Sequence, residues 1–303
     1  MNSSGQISIG LPVYNGERFI RKRLDSILAQ TFSNFELIIS DNASTDSTSL
    51  ICEEYSKKDK RIRYIRQEKN KGITGNFVFV LEQAKCEYFV WAAVDDFWHP
   101  DFLKKNIETL LSNQKLVGSI SKVSYYEEKN ENTKSDKIDL TFRILLKKIR
   151  ESLKPRGIYS LYGSYEEKVR LCLKKSRMQM LYGVYSTDKL RKSMITENFA
   201  GNDLPIILNV LKYGDFHVVD EVLLNIFDAG MSKKGYLSFM RQFKTGTMDI
   251  IFPSYPLTRW CAKHLGTRLF IKNLDYFIQL NLWAEFSLFM DIIRLFTRKV
   301  GKV

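Results

Sequence analysis

Tyr88-Phe89-Val90-Trp91-Ala92-Ala93-Val94-Asp95-Asp96 runs from a strongly apolar segment into two adjacent carboxylates. Tyr88 to Ala92 reads as a short buried strand, continuous in hydrophobic character as the strands of a parallel sheet are. Two neighbouring acids at the end of such a strand repel each other unless something neutralises them. A hard divalent cation, Mg²⁺ or Mn²⁺, meets that need, because it prefers carboxylate together with phosphate oxygens. The plainer reading is a helix N-terminus, since Pro100 and Asp101 open the next helical segment. Asp96 stands four residues before Pro100, which is poorly placed for a cap, so the pattern favours a metal.

Outward from this strand, strand-like and helix-like segments alternate. Ile7 to Leu11 is a strand ended by Pro12, and Glu17 to Gln30 places Phe19, Ile20, Leu24, Ile27 and Leu28 at helical spacing. Phe35 to Ile39 and Ile62 to Ile65 read as strands. Asp46 to Tyr55, Ile73 to Gln83 and Pro100 to Leu111 read as helices. This succession predicts an α/β fold, a parallel sheet with helices on both faces. Ligands of such sheets bind beyond the carboxyl ends of the strands. Three polar clusters fall there: Pro12-Val13-Tyr14-Asn15, Asp41-Asn42-Ala43-Ser44-Thr45-Asp46 and Val94-Asp95-Asp96. Each alone is ordinary turn chemistry; three in this order make one crevice.

The pattern weakens afterwards. Tyr125 to Lys154 is charged and mixed, with one amphipathic helix expected around Phe142 to Leu153. Regular structure returns as a strand near Met180 to Ser186, a helix at Leu204 to Tyr213 and a strand at His217 to Phe227. From Phe270 to Val300, a helical stripe of Ile271, Leu274, Ile278, Leu282, Phe289, Ile293 and Phe296 ends in Arg294, Arg298, Lys299 and Lys302. That combination suits an anionic membrane surface. Packing on the catalytic domain or a second copy requires the same stripe, and an oligomer fits equally. Tyr236 to Phe252 carries the same ambiguity.

The chain has 303 residues, 44% hydrophobic, which is enough for one large domain and an appendage and too apolar for disorder. Its formal charge is +13, and residues 233–303 hold twelve Lys/Arg against four Asp/Glu. A basic surface implies an anionic partner. Nucleic acid is not expected, because the crevice residues are acidic and would repel phosphate without a metal. Cys52, Cys86, Cys172 and Cys261 are dispersed, which argues against a zinc site or a disulfide framework and fits a reducing compartment. Met1 to Gln6 has no signal pattern, and no apolar run has the length of a membrane span. The expectation is a cytoplasmic protein, peripheral on the inner face of the membrane if it meets one.

Ile7 to Leu11, Pro12-Val13-Tyr14-Asn15, Glu17, Ser26-Ile27-Leu28-Ala29-Gln30-Thr31, Phe35 to Ile39, Asp41 to Asp46, Asn70-Lys71-Gly72, Asn76, Asp95-Asp96 and Pro100 together resemble the family-2 glycosyltransferases with a GT-A fold. The likeness is dense over about the first 115 residues. It continues more weakly through Leu181 to Tyr185 and Asp203 to about Ser232. It implies a Rossmann-like, mostly parallel GT-A sheet over residues 1–232, with a nucleotide-binding half at 1–115 and an acceptor-binding half at 116–232. Residues 233–303 would be a basic, amphipathic helical C-terminal region.

The resemblance also implies roles. Pro12, Val13, Tyr14 and Asn15 lie against the base, with Tyr14 as a stacking surface. Asp41 bonds the base edge, Glu17 lines the same pocket, and Asn42, Asn70, Gly72 and Asn76 border the nucleoside. Asp95 touches ribose or diphosphate and shares the metal with Asp96, the principal ligand. The family often carries an acid where Ala93 stands here. Inversion at an anomeric carbon requires a base for the acceptor hydroxyl, and Asp203 in Gly201-Asn202-Asp203-Leu204-Pro205 is the candidate, although it also suits a helix cap. Lys233 and Lys234 fit either a solvated basic loop or a positive contact to diphosphate. The implied activity is an inverting, metal-dependent transfer from a nucleotide-diphospho-sugar to a glycan or lipid-linked glycan, in cell-surface polysaccharide synthesis. A non-catalytic binding protein of the same fold is the main competitor. A sugar nucleotidyltransferase is disfavoured, because Pro12 to Gly16 is no Gly-rich, Arg- and Lys-bearing phosphate loop.

Overall fold

The computed structural model describes residues 6–126, 158–175, 178–227, 249 and 251–300. Its first strands are β1 (Ile7–Val13), β2 (Phe35–Asp41), β3 (Ile62–Arg66) and β4 (Tyr88–Trp91). They are joined by α1 (Glu17–Leu28), α2 (Thr48–Lys58) and α3 (Gly72–Glu82). All four strands run parallel in the order β3-β2-β1-β4. β1 is buried along its whole length, as expected of a strand covered on both faces. Its register pairs Val13 with Asp41, so the turns that follow β1 and β2 leave the sheet side by side.

One contact in this half tests the packing. A methyl group built on Gly10 of β1 would lie 2.6 Å from Phe89 and 2.7 Å from Val80. Gly10→Ala is therefore expected to lower unfolding free energy by about 1–3 kcal/mol through overpacking, measured by chemical denaturation.

The sheet continues with β5 (Phe97–Trp98), β6 (Leu116–Tyr126), β7 (Val184–Ser186) and β8 (Asp215–Phe227), giving the full order β3-β2-β1-β4-β7-β6-β8-β5. β7 is antiparallel to both β4 and β6, whereas β6 and β8 are parallel. Two reversals cancel, so β6 and β8 point the same way as β1. Tyr126 and Phe227 thus end at the edge where Val13 and Asp41 end. The sheet is mixed, with its parallel character concentrated in the N-terminal half.

β6 is an addition to the elements read from the sequence, which places no strand between Leu111 and Tyr125. Its buried positions include Ser119 and Ser121 beside Val117 and Ile120. Ser119 is tolerated inside because its hydroxyl donates to Asn106 Oδ1 at 2.8 Å. Buried serines disguise a central strand as a polar one. The helix expected at Phe142 to Leu153, the loop with Lys233 and Lys234, and nearly all of Tyr236 to Phe252 lie outside the described residues.

The remaining helices are α4 (Phe102–Ser112), α5 (Tyr165–Lys175), α6 (Thr187–Ser193), α7 (Asp203–Val210), α8 (Tyr255–His264), α9 (Thr267–Lys272) and α10 (Leu274–Val300). Leu257, Trp260, Cys261, Leu269 and Phe277 join the hydrophobic core that the sheet helps form. The stripe expected from Phe270 onward is interrupted at buried Asn273 and then divides. Phe277 and Ala284 face inward, while Leu282 and Phe289 are 65% and 58% exposed. Among the described residues no helix is long and apolar enough to cross a membrane.

Candidate active site

The first wall of the site is the pair of turns after β1 and β2. Asn15 and Ala43 both adopt left-handed backbone, with φ of 50° and 60°; asparagine tolerates this, alanine does so only where its surroundings hold it. The surroundings are a set of hydrogen bonds across the two turns. Asn15 N donates to Ser44 Oγ at 2.9 Å, Thr45 N to Asn15 Oδ1 at 2.8 Å and Gly16 N to Thr48 Oγ1 at 2.8 Å. Glu17 accepts from Ser47 N at 2.9 Å, so its carboxylate sits at the start of α2. Pro12 and Val13 are buried beneath, and Tyr14 projects with 49% exposure.

Asp41 is fully buried. Its Oδ1 accepts from Ser44 N at 2.8 Å and its Oδ2 from the Tyr64 hydroxyl at 2.9 Å. Asn42 ties in the next loop: its Nδ2 donates to Asn70 Oδ1 at 2.9 Å and its Oδ1 accepts from Lys71 N at 2.8 Å. Gly72, at φ 75°, closes that loop by donating to Asn70 Oδ1 at 2.8 Å. Asn76 is buried; its Nδ2 donates to Ser40 O at 2.9 Å and its Oδ1 accepts from Ser40 Oγ at 2.5 Å. In this structure Asn42, Asn70 and Asn76 brace the loops beside β1 and β2, whereas Tyr14, Asn15 and Glu17 are exposed.

The acidic turn packs against this wall. A methyl group on Gly16 would lie 2.6 Å from Val13 and 3.1 Å from Val94. Two further strands hold the acids in place: the Tyr126 hydroxyl donates to Asp95 O at 2.5 Å, and Phe227 N donates to Asp96 Oδ1 at 3.1 Å. Asp96 is only 5% exposed. Burial, then the like charge of Asp95, pushes its carboxyl up to about 7, and burial raises Asp95 as well. The rings of Phe19, Phe227, Tyr126 and Phe97 follow one another at 5.2 to 5.5 Å along this side.

Below the acids lies a residue that the sequence reading missed. Arg23 of α1 is fully buried, with its guanidinium 4.1 Å from the Trp98 ring. Among the described residues none of its three side-chain nitrogens has a hydrogen-bond partner. Burial lowers its pKa to about 10, opposed by the charges of Asp96 and Asp95. Trp98 is itself clamped to α1, through Ser26 Oγ, at 3.1 and 3.2 Å. The signal was present: Arg23 stands four residues after Phe19 and three after Ile20, on the apolar face of α1, where an arginine is anomalous unless an acid waits inside.

The residues fit a hard cation. Among the described residues no group of three or more His, Cys, Asp or Glu side chains could hold a metal by itself. Asp95 and Asp96 contribute two carboxylates, and Phe227 N engages Oδ1 of Asp96. A cation there would complete its shell from phosphate and water, as Mg²⁺ does when it binds with nucleotides.

Asp203 opens α7, just after Gly201 at φ 83°. Its Oδ1 accepts from Leu204 N of the adjacent residue at 3.2 Å, and α7 has no side-chain cap hydrogen bond. Burial pushes its carboxyl up to about 6. The Tyr182 hydroxyl is raised first by burial and then by the charges of Asp96, Asp95 and Asp203, so all three acids act on one tyrosine. Asn202 reaches Thr74 Oγ1 of α3 at 3.5 Å, linking the start of α7 to the start of α3.

A model of glycosyl transferase family 2 matches residues 8–166, just over half of the sequence. The chain belongs to that family. An uncharacterized glycosyltransferase of Rickettsia prowazekii is 28% identical over 221 residues, 65% of this chain and 68% of its own length. A Rickettsia typhi relative is 29% identical over 177 residues, 54% of each chain, and GlyA of Streptococcus pneumoniae is 35% identical over 109 residues, 36% of this chain and 16% of its own. The chain thus spans about half or less of these latter two proteins. Among solved structures, the mannosyltransferase PcManGT of Pyrobaculum calidifontis with GDP-Man and Mn²⁺ is 15% identical at TM-score 0.57, over 93% of this chain and 72% of that one. TarS 1–349 of S. aureus with UDP-GlcNAc is 18% identical at TM-score 0.56, over 91% and 81%. At these identities the likeness shows the fold.

Proposed function

We propose that the chain is an inverting glycosyltransferase that takes a sugar from a nucleotide-diphosphate donor. The observation that carries this reading is the Asp95-Asp96 turn, fastened by the ends of β6 and β8 and packed against the hydrogen-bonded turns after β1 and β2. Tyr14 offers a face for the base, and the loop of Asn70 and Gly72 borders the nucleoside. Asp96, with Asp95, would hold Mg²⁺ or Mn²⁺; when bound, the cation supplies positive charge against the departing diphosphate. Asp203 accepts the acceptor hydroxyl's proton as its oxygen attacks the anomeric carbon, the bond to diphosphate breaks, and the configuration inverts. The raised pKa of Asp203 suits this, because a base poised near neutrality takes a proton more readily than an ordinary aspartate. PcManGT and TarS, which bind GDP-Man and UDP-GlcNAc, make those donors the first to try.

The acceptor we infer is a glycan or lipid-linked glycan at a cytoplasmic membrane face. Support comes from the outward apolar side of α10, from the basic balance of residues 233–303, and from a relative, TuaG of Bacillus subtilis, named for teichuronic acid biosynthesis. The chain is expected to co-sediment with phosphatidylglycerol vesicles, and Leu282→Glu with Phe289→Glu should reduce the bound fraction severalfold. Equal sedimentation of the double variant would remove the helix from that role.

The deciding experiment is a nucleotide-sugar panel with Mn²⁺, read by thermal shift and by mass spectrometry of products, with NMR of the new linkage. Metal-dependent nucleotide binding and an inverted product are expected. A retained anomeric configuration, or no nucleotide binding with metal present, would overturn the reading.

A further inference from the structure

Arg23 sets the charge of the acidic turn. Burying a guanidinium with no hydrogen-bond acceptor costs several kcal/mol unless opposite charge lies close by. The opposite charges that act on Arg23 are those of Asp96 and Asp95. It is no ordinary ion pair, since no nitrogen of Arg23 bonds to either carboxylate. It acts through its field, from a fixed position: stacked on Trp98, sealed from solvent, and anchored by the bonds that tie Trp98 to Ser26. Arginine keeps its charge at every working pH.

Two carboxylates and one guanidinium sum to a single negative charge. A divalent cation entering this turn meets an attractive pair and a repulsive neighbour in a poorly solvated place, where Coulomb terms are large. No third ligating side chain among the described residues compensates. A nucleoside diphosphate brings the missing negative charge and the missing oxygens together.

We propose that Arg23 is a positioning residue that couples the cation to the nucleotide: its fixed charge leaves Asp95 and Asp96 too weakly anionic to retain a divalent cation alone, so cation and diphosphate are held only as a pair. This rests on the donor-site reading above. The consequence is a site that stays empty of free metal and assembles when the activated sugar arrives.

The test is Mn²⁺ binding to the full chain, by calorimetry and by electron paramagnetic resonance of free Mn²⁺, at pH 8, alone and with saturating UDP or GDP. The wild type should bind Mn²⁺ weakly alone and about a hundredfold more tightly with one of the nucleotides, a coupling that is reciprocal. The neutral variants Arg23→Met and Arg23→Gln should bind Mn²⁺ alone about tenfold more tightly or better, with the nucleotide effect reduced to match. Arg23→Lys should fall between the wild type and the neutral variants, because a buried lysine gives up its charge more readily than an arginine. A merely structural arginine gives the opposite sign, because a disordered site loses metal affinity. Neutral variants that bind Mn²⁺ no more tightly, or a wild type that holds it equally with and without nucleotide, overturn the proposal. Should neither neutral variant fold, a wild type that holds Mn²⁺ equally with and without nucleotide still overturns the proposal. A wild type that binds no nucleotide even with Mn²⁺ sinks the donor site itself, a result distinct from uncoupled binding of both ligands.

Discussion

Asp203→Asn should lower kcat by about 10³-fold while leaving the donor KM nearly unchanged, since a positioned general base is worth about 10² to 10⁴. The same substitution should make the protein more stable at pH 8. Burial raises Asp203 from an ordinary 3.8 to about 6, so the folded chain holds this proton more tightly than the unfolded chain does. The stability that comes from protonation is complete below the unfolded value. It falls as pH climbs through the interval from about 4 to about 6, then levels off. An asparagine carries no charge to bury, so the variant's advantage, about 1–3 kcal/mol by linkage, appears above pH 6 and vanishes near pH 4. Denaturation at the two pH values and initial rates at saturating donor and metal measure both effects. Wild-type kcat/KM should rise through an acid limb near pH 6, and residual activity in the variant should lack it. Loss of activity together with loss of stability would make Asp203 a structural residue, and full activity would place the base elsewhere.

That a functional acid weakens the fold is the common pattern of the site. Asp96 is raised by burial and by Asp95, Arg23 is buried without a hydrogen bond, and Ala43 is held at positive φ. Each is an arrangement that folding alone would not select. Each is supported by neighbours with ordinary needs met: Asn42, Asn70 and Asn76 have side-chain hydrogen bonds to surrounding loops or strands.

The N-terminal half of the sheet was legible because its signals are local. Apolar runs at Ile7, Phe35 and Tyr88 end in turn chemistry, and the parallel register carries those ends to one edge. What escaped were features whose meaning depends on partners distant in sequence. β6 was hidden because Ser119 is satisfied by Asn106, thirteen residues away. Arg23 was hidden because only folding brings α1 beneath the turn at Asp95 and Asp96, some seventy residues later. Residue type also marks the pocket without saying which amides face a ligand: Asn76 looks like a contact residue and is in the fold a brace between Ser40 and α3. The stripe after Phe270 was visible, but which of its residues turn outward was settled by the interruption at Asn273 and the inward packing of Phe277.

Asp96→Asn should abolish metal-dependent nucleotide binding and lower kcat/KM by about 10³-fold or more, the scale of losing a Lewis-acid contact to a leaving diphosphate. Asparagine is the informative replacement because its Oδ1 can still accept from Phe227 N, the bond that fastens the end of β8 to the acidic turn. Only the charge is removed. The wild-type carboxyl is raised from 3.8 to about 7, so without metal its contribution to stability declines as pH climbs through that interval. At pH 8 the metal-free variant should therefore melt higher than the metal-free wild type, and the two should converge near pH 4. Adding Mn²⁺ with UDP or GDP should reverse the order, because ligands that bind only the folded state stabilise the chain that can hold them. Circular dichroism melts in four combinations, with and without ligands and with either residue, measure this crossing. A variant that still shows a Mn²⁺-dependent nucleotide shift, or turns over at the wild-type rate, would move the metal away from Asp96. Curves that never cross, with the variant lower throughout, would mean that the carboxylate holds the turn together rather than waiting for a cation.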